Sequence, residues 1–345
     1  MALTSRNAPK LSDVARMAGV SPATASRALS SPAQVRPDTL ARVKNAALLL
    51  GYVPHGAARA LASQRSRTVG AVIPTLDNAI FASSVNAMQL ALAESGFNLL
   101  LACHGYDPAV ELEVTRALVE RGVDAIAFVG TDHDLGLYRL LGTFGIPYVL
   151  TWSLDASRQH PSIGFNNREA AIQVTRYLLD LDHRHVAVIS GLTAHNDRAR
   201  DRVAGARDAL RARGLDLPPR TVIEKPYSFM SGQEGLRELM KLTPAPTAIL
   251  CINDVLALGA MIECRAEGID IPGTVSITGF DDMEMAAQLP PGLTTMRLPT
   301  VGMGRSAAAY LVDRLAGREV ALITELPVEL VIRGSTAPPA AGRGQ

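Results

Sequence analysis

From Thr68 onward, short continuous apolar runs alternate with amphipathic stretches, and that alternation leaves few folds open. The runs cover residues 69–73, 97–102, 125–129, 147–150, 186–189, 248–252 and 275–280. Helical periodicity covers residues 84–94, 109–120, 169–181 and 254–267. A strand that is apolar on both sides must be covered on both faces, and parallel sheets wrapped by helices supply that cover. There are too many such units for one compact doubly wound sheet. The predicted body is therefore α/β, with parallel sheets in two lobes. Ligands of open α/β sheets sit at the carboxyl ends of the strands, so the cleft between the lobes is expected to hold a small molecule.

The first 67 residues are different in kind. They carry ten Lys/Arg and two acids, a net +8, whereas the rest carries 24 basic and 31 acidic residues, a net −7. The overall +1 hides a polarised molecule whose basic end attracts phosphate. This end is patterned rather than merely charged. Leu11, Val14, Ala15 and Ala18 make one apolar helix face. Gly19 and Val20 form a turn, and Ser21 caps a second helix that opens on Pro22 and buries Ala25, Ala28 and Leu29. Pro37 opens a third helix with Leu40, Val43, Ala47 and Leu50 on one face, and Gly51 stops it. Three short helices with a basic surface predict a helix-turn-helix unit.

The segment LSDVARMAGVSPATASRALS, followed by GYVP and ARALAS, resembles the DNA-binding head of the LacI/GalR family of bacterial transcriptional regulators. The resemblance continues through TVGAVIP, IPYVL, DHRHVAVISG, RVAGARDAL, PTAILCINDVLALGAM and SITGFDD…PGLTTMR in family order. ACHGYDP and IGFNN are similar to the gluconate-repressor branch. The resemblance implies a helix-turn-helix domain over 1–54, a hinge helix or linker over 55–67, and a periplasmic-binding-protein-like body over 68–336 for effector binding and dimerisation. It implies three crossovers between the lobes, near Phe165, Leu293 and Glu325. Lobe one is expected over about 68–165 and 295–324, and lobe two over about 166–294 and 325–336. The Pro/Ala-rich stretch 337–345 is expected to be a disordered tail.

By the same resemblance Pro22, Ala23 and Arg27 face the major groove, where Arg27 can grip guanine O6 and N7 while Pro22 and Ala23 offer only apolar contact. Pro22 reads equally as a plain helix starter. Ser21, Thr24 and Ser26 are assigned to phosphate. Leu61, flanked by Arg59, is the hinge residue expected to wedge into the minor groove at the centre of a near-palindromic double-stranded operator. In the cleft the resemblance nominates Asn78, Phe81, Trp152, Phe165, Arg198, Arg202, Tyr227, Asn253 and Asp281. Hydroxyls that both donate and accept suit amide, carboxylate and guanidinium partners, so the implied effector is a small sugar or a sugar acid such as gluconate. Phe81, Trp152 and Phe165 read also as plain core, Arg202 as part of the charged run HNDRARDR, and Asp281 with Asp282 as a turn pair.

Enzyme readings find little support. Gly302 to Ala307 matches G-x-G-x-x-A, but Pro299 breaks the strand that should precede it. His183 and His185 would enter a strand together, without a third metal ligand. Cys103, Cys251 and Cys264 have no metal-like spacing and read as reduced, mostly buried thiols. No cofactor is implied. No run of 18 apolar residues and no signal-peptide stretch occurs, so a cytoplasmic protein with no membrane partner is expected. After Arg333 there is no leucine heptad, so a homodimer is the expected assembly. A ligand-controlled repressor fits these features. A sugar-binding transport receptor would leave the basic head unexplained, a corepressor-type regulator would reverse the sign of the ligand effect, and a periplasmic-binding-fold enzyme has no motif.

Overall fold

The computed structural model describes residues 8–30, 32–53 and 65–340. The chain forms two compact units, 1–67 and 68–345.

In the first unit α1 (Leu11–Ala18) ends at Gly19, α2 (Pro22–Ser30) follows, and α3 (Pro37–Leu50) closes the bundle. Val14, Ala15, Ala18, Ala25, Ala28, Val43, Ala46 and Ala47 form the core. Small side chains at the crossing points let three short helices pack closely. The Ser21 hydroxyl accepts the Thr24 amide at 3.1 Å, the side-chain cap that starts α2.

The second unit holds two six-stranded sheets. The strands are β1 (Thr68–Ile73), β2 (Asn98–Cys103), β3 (Ala125–Val129), β4 (Tyr148–Thr151), β5 (Ser162–Gly164), β6 (Val186–Ser190), β7 (Val222–Glu224), β8 (Ala248–Cys251), β9 (Ser276–Asp281), β10 (Thr294–Arg297), β11 (Ile323–Glu325) and β12 (Glu329–Val331). The first sheet runs β11-β5-β4-β3-β1-β2, all parallel. The second runs β12-β10-β9-β8-β6-β7, parallel except where β12 opposes β10. The helices are α4 (Ala79–Glu94), α5 (Pro108–Glu120), α6 (Leu135–Phe144), α7 (Asn167–Asp180), α8 (Asp197–Arg211), α9 (Phe229–Met240), α10 (Asp254–Ala266), α11 (Glu284–Gln288) and α12 (Thr300–Leu315). Central strands β3, β6, β8 and β9 are buried along their whole length, as their apolar sequences require.

Sheet membership fixes the crossings. β10 pairs with β9 in the second sheet, so the second crossing follows Arg297 rather than lying near Leu293. β11 joins β5 in the first sheet, so the third crossing follows Glu325. Ala337, the first residue of the expected disordered tail, is instead held in place: its carbonyl accepts from Ser276 Oγ at 3.0 Å, and its amide donates back at 3.1 Å. His183 precedes β6 instead of entering it; its buried imidazole pairs with Thr247, Ser276 and the Ala337 carbonyl. Among the thiols, Cys103 is exposed and only Cys251 and Cys264 are buried. Gly304 lies on α12 where a Cβ would overlap the Ser84 carbonyl of α4, so this glycine serves a helix crossing. No helix among the described residues is long and apolar enough to cross a membrane.

Candidate functional site

The strand ends of both sheets converge on one cleft. In the first lobe, β1 leads into Asn78, which caps α4 and accepts the Ile80 amide. β2 leads through Gly105 into Tyr106, and β4 leads into Trp152. In the second lobe, β6 leads to Gly191 and then α8, β7 to Tyr227, β8 to Asn253 and β9 to Asp281. The inner end of the cleft is lined by Asn78, Phe81, Tyr106, Trp152, Arg198, Arg202, Tyr227, Asn253 and Asp281. Eight of the nine nominated cleft residues thus meet at one place. Phe165 does not line it. It is fully buried at the first crossing, with its ring 6.0 Å from the Arg202 guanidinium carbon.

The aromatic side is rigid. Phe81 packs edge-on against Trp152, with ring centroids 4.9 Å apart. Trp152 sits in the left-handed region at φ 71°, and Asn167 Nδ2 donates to its carbonyl at 2.8 Å. On the polar side, Arg202 donates from Nε to Asn167 Oδ1 at 2.9 Å and from Nη1 to the Ile252 carbonyl at 2.6 Å. Its guanidinium stacks over Phe280 at 4.0 Å. Asp281 lies 3.9 Å from Arg202, and Asn253 Nδ2 donates to it at 3.4 Å. Burial pushes the Asp281 carboxyl well above the usual carboxylate range; Arg202 opposes this and Asp254 adds to it. Asp254, also buried, is pushed up to about 6, although it accepts from Thr295 Oγ1 at 2.6 Å and from the Met283 amide at 2.8 Å. Asp282, the other half of the possible turn pair, instead clamps Arg297 at 2.7 Å and Arg333 at 2.6 Å.

Sequence reading missed Tyr106 and the residues that bridge the lobes. Tyr106 lines the gap together with Arg198 and sits at φ 64°. Asp197 takes Arg198 Nη1 at 2.7 Å and reaches across to Thr131 of the first lobe. Burial acts to raise the Asp197 carboxyl, but Arg198, Ser153 and Thr131 outweigh it and hold it down to about 2. Arg200 adds a second bridge, to Asp132 at 2.8 Å. The rule that ligands gather at the carboxyl ends of strands would have nominated Tyr106 and Thr131. Among the described residues no group of three or more His, Cys, Asp or Glu is placed to hold a metal.

In the first unit, Ser21, Pro22, Ala23, Ser26 and Arg27 are exposed along α2, and Thr24 is half-buried. Among the described residues Arg27 makes no ion pair or hydrogen bond, so its five donors are available. Thr24 Oγ1 and Ser21 Oγ are 2.9 Å apart, so each hydroxyl already has one partner. Arg59 and Leu61 lie outside the described residues.

Comparison with known proteins gives a consistent result. Residues 10–55 match the bacterial regulatory proteins, lacI family, and residues 175–336 match the periplasmic binding protein-like domain. The transcriptional regulator GntR of Pseudomonas aeruginosa is 32% identical over 330 residues, covering 95% of this chain and 96% of that protein. A LacI family transcriptional regulator from Silicibacter pomeroyi superposes with a TM-score of 0.86 at 27% identity, over 95% of this chain and 99% of that one. The lac repressor dimer bound to operator and the anti-inducer ONPF superposes with a TM-score of 0.83 at 26% identity, with the same coverage.

Proposed function

This chain belongs to the LacI family of bacterial regulatory proteins, and from that premise we propose that it is a repressor whose operator affinity is set by a small sugar or sugar acid, an aldonate such as gluconate, bound between its lobes. Members of the family are DNA-binding transcriptional regulators, not enzymes. The carrying observation is the charge at the inner end of the cleft. Arg198 is compensated by Asp197. Arg202 lies 3.9 Å from Asp281, beyond hydrogen-bond reach, and lines the gap beside Arg198, so an anionic ligand there meets two guanidinium groups.

The operator is read by α2, with Arg27 as the base-reading donor and a homodimer supplying the second half-site. Helix α4 contributes to the dimer face. Its inner side packs on α12 through Ser84 and Met88, and it leaves Leu90 58% exposed. Ligand that favours the closed lobes over the open ones shifts the dimer away from its DNA-competent form.

Operator titrations with and without gluconate test this. Weaker operator binding with gluconate supports the assignment. Tighter binding identifies a corepressor. No ligand effect from gluconate and no rise in melting temperature removes the aldonate.

A further inference from the structure

Behind the Thr131 loop, in the first lobe, lies a cluster of ionisable side chains that the cleft does not use. Glu111 on α5 and His133 in the loop are nearly sealed from water, with side chains 4% and 2% exposed. His133 Nδ1 lies 3.0 Å from each Glu111 carboxyl oxygen, and its Nε2 lies 3.0 Å from the Gly130 carbonyl. Phe128 and Tyr138 meet the imidazole edge-on, with centroids at 5.4 and 6.0 Å, and fix its plane.

Both imidazole nitrogens thus face oxygen. A carbonyl can only accept, so Nε2 carries a proton. Nδ1 then either donates, as part of an imidazolium, to a carboxylate or accepts from a protonated carboxyl. In both cases the pair holds one proton more than a neutral imidazole beside a carboxylate. Without that proton a single N–H serves one oxygen, and the other nitrogen turns its lone pair on an oxygen in a site too dry to screen the contact. The surroundings do not supply a substitute. His104, 3.7 Å from Glu111, is pushed toward its neutral form by burial, against the pull of Glu111 and Asp107. Burial likewise keeps the Tyr138 phenol protonated. Asp132 and Asp134 flank His133 but are engaged with Arg200 and with the start of α6. From the second lobe, Asp197 and Arg198 pair with each other.

One peptide unit joins this cluster to the other lobe. The Gly130 carbonyl that meets His133 and the Thr131 N–H that reaches Asp197 at 2.9 Å belong to the same planar amide. Holding the carbonyl therefore aims the N–H. Gly130 sits at φ 94°, where a glycine leaves that amide free to turn unless something grips it. We propose that Glu111 and His133 are the positioning pair of the bridge between the lobes, and that they hold the Gly130–Thr131 amide toward Asp197 through one shared proton. As pH rises the pair gives up that proton, the grip on Gly130 loosens and the bridge weakens.

Hydrogen exchange of the full-length protein, without any effector, tests it. The Thr131 amide is read relative to the Gly130 amide, which bonds the Thr151 carbonyl at 2.8 Å within the first lobe and cancels the intrinsic effect of pH. Between about pH 5 and 10, a span that crosses the ordinary imidazole pKa, wild-type Thr131 should lose roughly tenfold or more of its relative protection. In Glu111→Gln the side-chain amide donates to Nδ1 while Nε2 stays on Gly130, so the bridge persists with no shared proton and the profile should be flat. In His133→Ala, Thr131 should be unprotected at every pH while Gly130 keeps its protection, a pattern that unfolding does not give. A flat wild-type profile, an equal slope in Glu111→Gln, or a bridge lost at every pH in that variant overturns the shared proton. Thr131 unprotected in wild type, or still protected in His133→Ala, overturns the positioning pair. Should His133→Ala fail to fold, the Glu111→Gln profile decides.

Discussion

Asp197, at the start of α8 in the second lobe, accepts the Thr131 amide at 2.9 Å and the Thr131 hydroxyl at 3.0 Å from the first lobe. The Thr131 loop is braced from below, because His133 joins the Gly130 carbonyl and the buried Glu111, each at 3.0 Å. Hydrogen bonds to a charged acceptor contribute about 1.5–3 kcal/mol each. Asp197→Asn should therefore weaken effector binding by roughly 10- to 100-fold, through loss of closure and of the Arg198 counter-charge. Titration of the effector into wild type and variant checks this; equal affinities would show that the bridge does not hold the closed form.

Arg202→Ala should abolish the ligand response. It should also lower stability, since Ile252 and Asn167 lose their donor and Phe280 its stacked cation. Breaking a buried pair costs about 3–5 kcal/mol, an upper range here because Arg202 and Asp281 stand 3.9 Å apart and are not hydrogen-bonded to each other. Arg202→Lys keeps the charge but loses the fork, and should keep the fold with a diminished response. Operator titrations and thermal melts separate the two effects. A full response in Arg202→Ala removes Arg202 from the site.

How much of this was legible depends on what each residue has to satisfy. The central strands were readable to within one or two residues because a fully buried strand must be apolar throughout. β5, β7, β11 and β12 were not, since three-residue strands such as Val222–Glu224 are too short to show a pattern, and neither was the interior strand β10, whose sequence Thr-Thr-Met-Arg is not apolar. Helix α4 starts at Ala79 rather than Ser84 because Asn78 caps it, and a cap is a local bond that periodicity does not record. The cleft residues were reachable by resemblance. Tyr106 and Asp197 were not singled out, because the first depends on a left-handed turn and the second on a partner 66 residues away in the chain. Phe165 lies beneath the cleft lining rather than on it, the plain-core reading, because an aromatic beside a site and one beneath it look alike in sequence.

Arg27→Ala should cost about 1–3 kcal/mol of discrimination between operator and unrelated duplex, which is the worth of one bidentate base contact. Nonspecific binding should keep nearly the same steep salt dependence, because most phosphate-facing charge remains. Competition binding at several salt concentrations reads both. A uniform loss on all sequences would make Arg27 a phosphate contact.

Stability should fall on acidification below about pH 6.5, the ordinary imidazole pKa. Burial lowers the pKa of both His104 and His183 in the fold. The unfolded chain then binds more protons between the folded and unfolded pKa values, so unfolding gains up to about 1.4 kcal/mol per pH unit for each group in that window. His104 faces Glu111, His133, Asp107 and Arg198, and neither of its ring nitrogens has a hydrogen-bond partner. His104→Gln should flatten its share of the slope in melts run from pH 5 to 7.5. Parallel curves for wild type and variant would show that His104 does not contribute.

The return of β11 to the first sheet bears on how the chain is made. Strand β5 gains its outer neighbour only from residues 323–325, and α4 gains its α12 partner only from residues 300–315. At a ribosomal rate of about 5–20 residues per second, the first lobe waits roughly 8–30 s after β5 emerges before its edge can close. In that interval the second lobe is largely synthesised, while β5 presents an unpaired strand edge. The nascent chain is thus most in need of chaperone cover over the lobe that was translated first.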